Sequence, residues 1–304
     1  MRDEAVSPVI AVMLILAAIV TFMSVWNAIY VPSMKESSEV EHLGEVETAF
    51  VHFSSDLYFA ASSHQDHLSF SEPVPLGGGD VVVNLIKSSG TIQVQNENNP
   101  VYMLTFSDGT VVTGTIVNFF YEPVGNFWQD QGYSWQYGYI NVTKYGTLST
   151  PLNYYNMTDI SNAFNTPGSP LYEFASSMGS ARYTVNQTEV PGNCSAVSLL
   201  AVNFSASSRN FVSSNGYGTL TLTTNATPVI LSQSITTIMI TSDGSPFGNA
   251  TAASLNASLS DLTDHCQNFN YETTAGGSGY YSLNQVESPI SVNLTVIKIS
   301  VGIG

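Results

Sequence analysis

The sequence predicts an α+β protein, in which a long N-terminal helix, first hydrophobic and then amphipathic, precedes a mainly antiparallel β head. Three observations predict this class. Residues Ala5 to Met34 include no Asp, Glu, Lys, Arg or His. Apolar residues then recur every three or four positions as far as residue 63, which is the period of an amphipathic helix. Beyond residue 63, β-branched and aromatic runs alternate with Gly, Asn, Asp and Pro, as in a β-sandwich or a partly open barrel.

The first part of the predicted helix is long enough to cross a membrane. Val9 to Val31 exceeds the roughly 20 residues that span a bilayer core. A secretory signal would instead have a basic start, a shorter apolar run and a small-residue cleavage site. Here Arg2 is followed at once by Asp3 and Glu4, and the apolar run is too long. We therefore expect residues 6–32 to be retained as a transmembrane helix.

The residues at the start of this helix resemble those of archaeal type IV pilin-like proteins. The resemblance lies in Ala5, Val6, Ser7, Pro8, Val9 and Ile10. In that family a membrane peptidase removes a short leader, and the remaining helix anchors the subunit before it forms the core of a filament. The resemblance implies a leader at residues 1–5, cut between Ala5 and Val6. The residue before Ala5 is Glu4, where the best-described leaders have Lys or Arg.

The resemblance also implies partners and a location. The partners are copies of the same chain, the leader peptidase, and an assembly ATPase with its membrane platform. The N-terminus of the precursor would be cytoplasmic, and the head would lie outside, at the cell surface or on an extracellular filament.

Residues 33–63 are predicted to form an amphipathic stem helix that packs on the head. Its apolar positions are Val40, Leu43, Val46, Phe50, Phe53, Leu57 and Ala60. Pro32 should kink or break the helix at the membrane exit, because proline cannot donate the helical hydrogen bond.

Residues 64–304 are predicted to form the head, and the tract 144–192 is the predicted break if the head has two lobes. Predicted strands lie at Val81–Ile86, Thr91–Gln95, Val101–Phe106, Val111–Phe120, Gly138–Thr143, Ser198–Asn203, Gly218–Thr223, Ile235–Thr241 and Val292–Val301. A hairpin turn is predicted at Ser107–Thr110. The apolar phase shifts within Val292–Val301, which suggests a bulge. Short helices are predicted at Asp159–Phe164 and Ala252–Asp264.

The charge of the chain excludes one class of function. Only 10% of the residues are charged, the net charge is -16, and the seven basic residues are scattered. A nucleic-acid-binding protein needs clustered Lys and Arg to replace counterions. We therefore expect no nucleic-acid partner, and the same argument excludes attachment to a membrane through a basic patch.

The head carries signs of an exported protein. Cys194 and Cys266 are predicted to form a disulfide, the alternative being two buried free thiols. Nine Asn-x-Ser/Thr triplets all follow residue 140. The candidates for N-glycosylation are Asn141, Asn156, Asn186, Asn193, Asn249 and Asn256. The other triplets are weaker, because Asn225 is followed by Pro228 and because Asn203 and Asn293 fall in predicted strands.

No residue constellation predicts an enzyme, a cofactor or a metal site. His64, Asp66 and His67 could converge on a metal, but a polar helix end and loop is the favoured interpretation. His265 beside Cys266 would matter only if the thiol were free. His52 is expected at a packing edge of the stem.

A cluster of aromatic residues allows two interpretations. Tyr133, Trp135, Tyr137 and Tyr139 alternate and would share one strand face, close to Trp128. They either cover the core or form a contact face for glycans or a neighbouring subunit, and the core is the favoured alternative.

Three functions therefore remain open. The first is a structural subunit of an archaeal type IV pilus-like filament, minor or at the tip because 304 residues is large for a major pilin. The second is a membrane-anchored extracellular binding or adhesion protein that does not polymerise. The third, and least favoured, is an anchored exported enzyme.

Overall fold

The predicted α+β class is confirmed in the computed structural model, where a long N-terminal helix precedes a head of mostly antiparallel sheets. The structure describes residues 6–78, 88–125, 130–144, 148–185, 194–231, 235–266, 269–272, 281–285 and 291–304. The predicted strand Val81–Ile86 and the predicted leader lie outside these residues.

The N-terminal helix is continuous through the proline that was expected to break it. It consists of α1 (Val6–Val25), a π turn (Trp26–Tyr30) and α2 (Val31–Ser63). The backbone N–H of Val31 bonds to the carbonyl of Trp26, five residues earlier. The π turn directly precedes Pro32, whose ring and missing N–H do not fit the regular α-helical hydrogen-bond pattern. Of the two predicted outcomes, a kink or a break, the break is therefore wrong.

The head contains three sheets within the described residues. The first has the strand order β1-β12-β16-β10-β9, the second β11-β2-β5-β6-β7-β8 and the third β14-β15-β13-β3-β4. Their bounds are β1 Ser69–Pro75, β2 Ser89–Asn96, β3 Tyr102–Phe106, β4 Val111–Gly114, β5 Val117–Val124, β6 Gln131–Gln136, β7 Tyr139–Lys144, β8 Leu148–Pro151, β9 Gly179–Val185, β10 Cys194–Ala206, β11 Phe211–Ser214, β12 Tyr217–Val229, β13 Thr237–Ser242, β14 Phe269–Glu272, β15 Tyr281–Gln285 and β16 Ser291–Ile303.

The apolar phase shift in the last strand is not a bulge. β16 pairs in unbroken register with β12, antiparallel, and with β10, parallel. Val296 and Ile297 point to opposite faces of the sheet and are both buried. Their partners in β10, Ala201 and Val202, are buried in the same way. β16 and β10 therefore bury one face as far as Val296 and Ala201, and the opposite face from Ile297 and Val202 onward. The reason is that the sheet is covered on opposite faces at its two ends.

Several predicted elements are confirmed and some are corrected. The hairpin at Ser107–Thr110 joins β3 to β4. The single strand predicted at Val111–Phe120 is two strands, β4 and β5, which belong to different sheets. The strands that were not predicted are β1, β6, β8, β9, β11, β14 and β15.

Three further helices pack on the head in the part of the chain that the structure describes. They are α3 (Met157–Phe164), α4 (Pro170–Ser177) and α5 (Pro246–His265). α3 and α5 correspond to the two short helices predicted above. α4 was missed, although Ser169 as N-cap with Pro170 at the first position is a helix-start signal. Apolar residues of α3 and α4, within the tract 144–192, belong to the same core cluster as the sheets.

Candidate functional site

The most distinctive surface of the molecule is α1. Every side chain from Pro8 to Val25 is exposed. The most apolar stretch of 18 residues has a mean hydropathy of 2.6, and none of its residues is buried. The 20 residues of α1 rise about 30 Å, which is the thickness of a bilayer core. Among the described residues it belongs to the one helix that is long and apolar enough to cross a membrane.

The polar side chains of this segment satisfy their donors within the helix. Thr21 Oγ1 donates a hydrogen bond of 2.7 Å to the carbonyl of Ala17. Ser24 Oγ donates to Val20, and Asn27 Nδ2 donates to Met23. Unsatisfied donors in hydrocarbon are costly. These bonds satisfy the hydroxyl donors of Thr21 and Ser24 and one N–H of Asn27, which lowers the cost of placing the segment in lipid or against other apolar helices.

An aromatic row marks the end of the apolar surface. Phe22, Trp26 and Tyr30 follow one another at intervals of four residues, with ring centroids 6.0 and 5.3 Å apart. Trp and Tyr are enriched where a membrane meets water. The row ends in the π turn at Trp26–Tyr30. Lys35 and Glu36, the first charged residues after the apolar run, follow within the next two turns of the helix. These features place the π turn at a membrane–water boundary when α1 spans the bilayer.

The apolar face of α2 attaches the helix to the head, as predicted. Its buried apolar residues are Leu43, Val46, Ala49, Phe50, Phe53, Leu57, Ala60 and Ala61. Phe50 and Phe53 both contact Phe119, with centroids 5.1 and 5.4 Å apart. The prediction was wrong for Val40, which is 54% exposed.

Polar residues take the place of Val40 at the start of this face. Lys35, Glu39 and His42 are buried, and they lie three and four residues apart on one side of α2. His42 Nε2 lies 3.2 Å from the hydroxyl of Tyr121. Helical spacing alone could have grouped these three residues on one face.

Of the two interpretations of the aromatic cluster, the favoured one, packing in the core, holds for Tyr133, Trp135 and Tyr139, which are buried. A tight turn at Tyr137 and Gly138 ends β6 and starts β7, so the alternating residues stand on two strands rather than one. Tyr137 adopts a φ of 52° in this turn and packs against the core from the outside. Trp128 lies outside the described residues.

The buried aromatic residues bind the helix to the second sheet through polar groups. Trp135 Nε1 donates to Ser54 Oγ at 2.9 Å, and the Tyr133 hydroxyl donates to Glu47 Oε2 at 3.1 Å. Burial raises the pKa of Tyr133 above its ordinary value, and the carboxylate of Glu47 raises it further. The aromatic cluster therefore positions α2 on the head.

The predicted disulfide is confirmed. Cys194, at the start of β10, is bonded to Cys266, at the end of α5, with Cα atoms 5.2 Å apart. Because neither thiol is free, the Cys–His nucleophile considered for His265 is excluded. His265 stacks on Tyr183 with ring centroids 5.0 Å apart.

The other histidines have structural partners. His64 caps α2 in the left-handed conformation, and its Nε2 hydrogen-bonds the carbonyl of Ser177. Asp66 accepts hydrogen bonds from the backbone of His67 and of Ala226. His52 lies 3.6 Å from Glu72. No group of three metal-binding side chains occurs within the part of the chain that the structure describes.

The glycosylation candidates occupy different environments. Asn156 is exposed at the start of α3. Asn141, Asn249 and Asn256 are half-buried, in β7 and α5. Asn186 and Asn193 lie outside the described residues, as does Ala5 of the proposed cleavage site.

Asn203 and Asn293, which fall in strands as predicted, differ from each other. Asn203 is half-buried and hydrogen-bonded at both ends of its amide, whereas Asn293 is exposed. Asn225 is exposed as well.

Five of the six residues of the predicted leader motif lie at the start of α1, and Ala5 lies outside the described residues. Val6 is the first helical residue, and Ser7, Pro8, Val9 and Ile10 follow within the same helix. Pro8 stands in the first turn, where proline is tolerated. No protein-family model, curated protein or solved structure matches this chain.

Proposed function

We propose that this protein is a subunit of a type IV pilus-like filament on an archaeal cell surface. In this proposal α1 anchors the subunit in the membrane, with the N-terminus cytoplasmic and the head outside, and then packs into the filament core. One observation carries the proposal. α1 is apolar on every side and exposed throughout, yet it continues as one helix into a folded head.

Energetics favour an environment that covers α1 completely. The 13 Val, Ile, Leu, Met and Phe side chains of α1 are stabilised by removal from water, by about 1.5–3 kcal/mol each. A bilayer and a bundle of like helices bury the same surface, so the net free energy of transfer between them is small. Side-chain packing between helices then holds the filament together.

The junction of helix and head suits such a transfer. The residues of α2 that pack on the head begin after the π turn, and the first buried apolar residue is Leu43. Because α1 makes none of these contacts, it can change its surroundings without disturbing the core. The large head, which starts near residue 64, favours a minor or tip subunit.

The test is the N-terminal sequence and intact mass of the chain, taken from sheared surface material and from membranes. We expect the sheared chain to begin at Val6. An Ala5→Trp variant should stay at full length in membranes, because a bulky residue blocks cleavage, whereas Ala5→Gly should behave as the wild type.

Two results would overturn the proposal. A wild-type chain that begins at Met1 and occurs only in membranes would indicate the anchored binding protein instead. Shedding of full-length Ala5→Trp at the wild-type level would show that cleavage at this site has no part in assembly.

A further inference from the structure

The triplet Asn156-Met157-Thr158 differs from the other described glycosylation triplets in its surroundings. It follows β8 and opens α3, and all three residues are exposed. Tyr155, just before it, is 98% exposed. Asn156 has an extended backbone, with φ of −161° and ψ of 175°. An enzyme can therefore reach the triplet in the folded head without displacing a packed side chain.

Only the oxygen of the Asn156 side-chain amide takes part in a hydrogen bond among the described residues. Its Oδ1 accepts a hydrogen bond of 3.0 Å from the backbone N–H of Asp159 and so caps α3. Its Nδ2, and the hydroxyl of Thr158, have no hydrogen-bond partner among the residues that the structure describes. A sugar on Nδ2 leaves Oδ1 as an acceptor, so attachment and capping are compatible.

Asn249 and Asn203 lack this freedom. Asn249 accepts from Ser242 Oγ and donates to the carbonyl of Gly244. The hydroxyl of its triplet, on Thr251, is buried and donates to the carbonyl of Ala175. Asn203 is half-buried, and its Nδ2 donates one N–H to the carbonyl of Thr113, so only the other N–H could be replaced by a sugar.

In the remaining described triplets the asparagine itself stands inside a helix or strand, whereas Asn156 precedes α3 as its N-cap. Asn256 has its Oδ1 buried within α5. Asn141 is half-buried in β7. Asn225 and Asn293 are exposed but belong to the paired strands β12 and β16. Loops are easier for an enzyme to bind than paired strands, because their backbone can leave the surface.

We propose that, among the triplets that the structure describes, Asn156 is the one that carries an N-linked glycan on the folded head; this rests on the external location in the proposed function. The donor is an oligosaccharide linked through phosphate to a membrane lipid. A bond forms between Asn156 Nδ2 and the anomeric carbon of the first sugar, and the bond from that carbon to the phosphate oxygen breaks. The lipid phosphate leaves, and the displaced amide proton passes to solvent.

The test is glycopeptide mass spectrometry of the full chain from its native cells. We expect the wild-type peptide with Asn156 to carry a glycan and the Asn249 and Asn256 peptides to be unmodified. Asn156→Asp, which keeps an acceptor oxygen for capping, and Thr158→Val, which keeps the shape, should both abolish the modification. Thr158→Ser should retain it. Thermal unfolding of the two unmodified variants checks that they fold.

An unmodified Asn156 in the wild-type chain overturns the inference, whether or not other sites carry glycans. Modification that persists in Thr158→Val overturns it as well. These results are independent of the filament proposal, because the N-terminus and the sheared fraction are measured on the same material. A chain that starts at Val6 without a glycan on Asn156 contradicts this inference alone. A glycosylated chain that keeps Met1 and stays in membranes contradicts only the filament.

Discussion

Trp135 Nε1 donates a hydrogen bond of 2.9 Å to Ser54 Oγ, and this bond joins the second sheet to the helix that carries the apolar surface. Trp135 is fully buried and stacks on Phe119 with ring centroids 5.2 Å apart. The same ring meets Phe174 of α4 edge-on. One side chain therefore links α2, the sheet and α4.

Ser54→Ala tests this link. The variant leaves the buried indole N–H without its acceptor, so we expect it to lower the free energy of unfolding by about 1–3 kcal/mol. Ser55→Ala is the matched control, because Ser55 is exposed and bonds only within its own helix. Denaturant unfolding of the full chain in detergent measures both variants. Equal stability of Ser54→Ala and Ser55→Ala would contradict a stabilising role for the indole hydrogen bond.

Two glycines should respond in opposite directions to the same substitution. A Cβ at Gly44, on the exposed side of α2, would meet no atom within 4 Å, so Gly44→Ala should stabilise by up to about 1 kcal/mol. A Cβ at Gly114 would overlap the ring of Tyr102, so Gly114→Ala should destabilise by about 1–3 kcal/mol. Thermal unfolding compares the pair. A loss of stability in Gly44→Ala would show that another subunit or segment packs there.

The disulfide should contribute strongly to stability. Cys194 and Cys266 are 72 residues apart in the chain, and the chain-entropy model gives about 4 kcal/mol for a loop of that length. We expect the double variant Cys194→Ser/Cys266→Ser to have a free energy of unfolding that is lower by about 4 kcal/mol, and therefore to unfold at a lower denaturant concentration. Reduction of the wild type should have the same effect. No difference between oxidised and reduced protein would contradict the prediction.

Buried tyrosines should make the head sensitive to alkali. Burial raises the pKa of Tyr102, Tyr121 and Tyr133 above the value of about 10 that they have when unfolded. Above that pH the unfolded chain releases protons that the folded chain retains. Stability is therefore complete below pH 10 and falls as the pH rises further, by about 1.4 kcal/mol per pH unit for each tyrosine.

Denaturant unfolding between pH 9 and pH 12, with tyrosinate absorbance as a second signal, measures this slope. Tyr121→Phe removes one of the three groups and should reduce the slope by about 1.4 kcal/mol per pH unit. An unchanged slope would show that the Tyr121 hydroxyl ionises equally well in the folded chain.

Much of the fold was predictable where local pattern and environment agree. The N-terminal helix follows from its composition and from apolar spacing, and the disulfide follows from two cysteines in a chain with signs of export. The β3–β4 hairpin follows from the Asp-Gly turn. Strands with strong β-branched composition, such as β10 and β16, were also located. β1 was missed because Glu72, Pro73 and Pro75 conceal a strand at a sheet edge, where proline is tolerated.

Some parts of the functional surface were predicted from the sequence and others were not. α1 depends on composition alone, so the sequence reveals it. The burial of Lys35, Glu39 and His42 depends on which part of the head lies opposite them, and helical spacing does not show this. The aromatic residues after Asp130 were expected on one strand face, but the turn at Tyr137 requires a non-glycine residue at positive φ, which local sequence rarely signals.

By itself, the sequence determined that this chain has an apolar helix that must leave water, an amphipathic continuation and a β-rich head with one disulfide. These properties arise from near neighbours along the chain and from the free energy of removing apolar side chains from water. Only the tertiary structure decided that the aromatic cluster is core and that a π turn precedes Pro32. It also decided that β10 and β16 each switch which face they bury, at Ala201 and Val296. Each of these depends on contacts between residues far apart in sequence or on alternatives of similar local energy, which only the packed chain distinguishes.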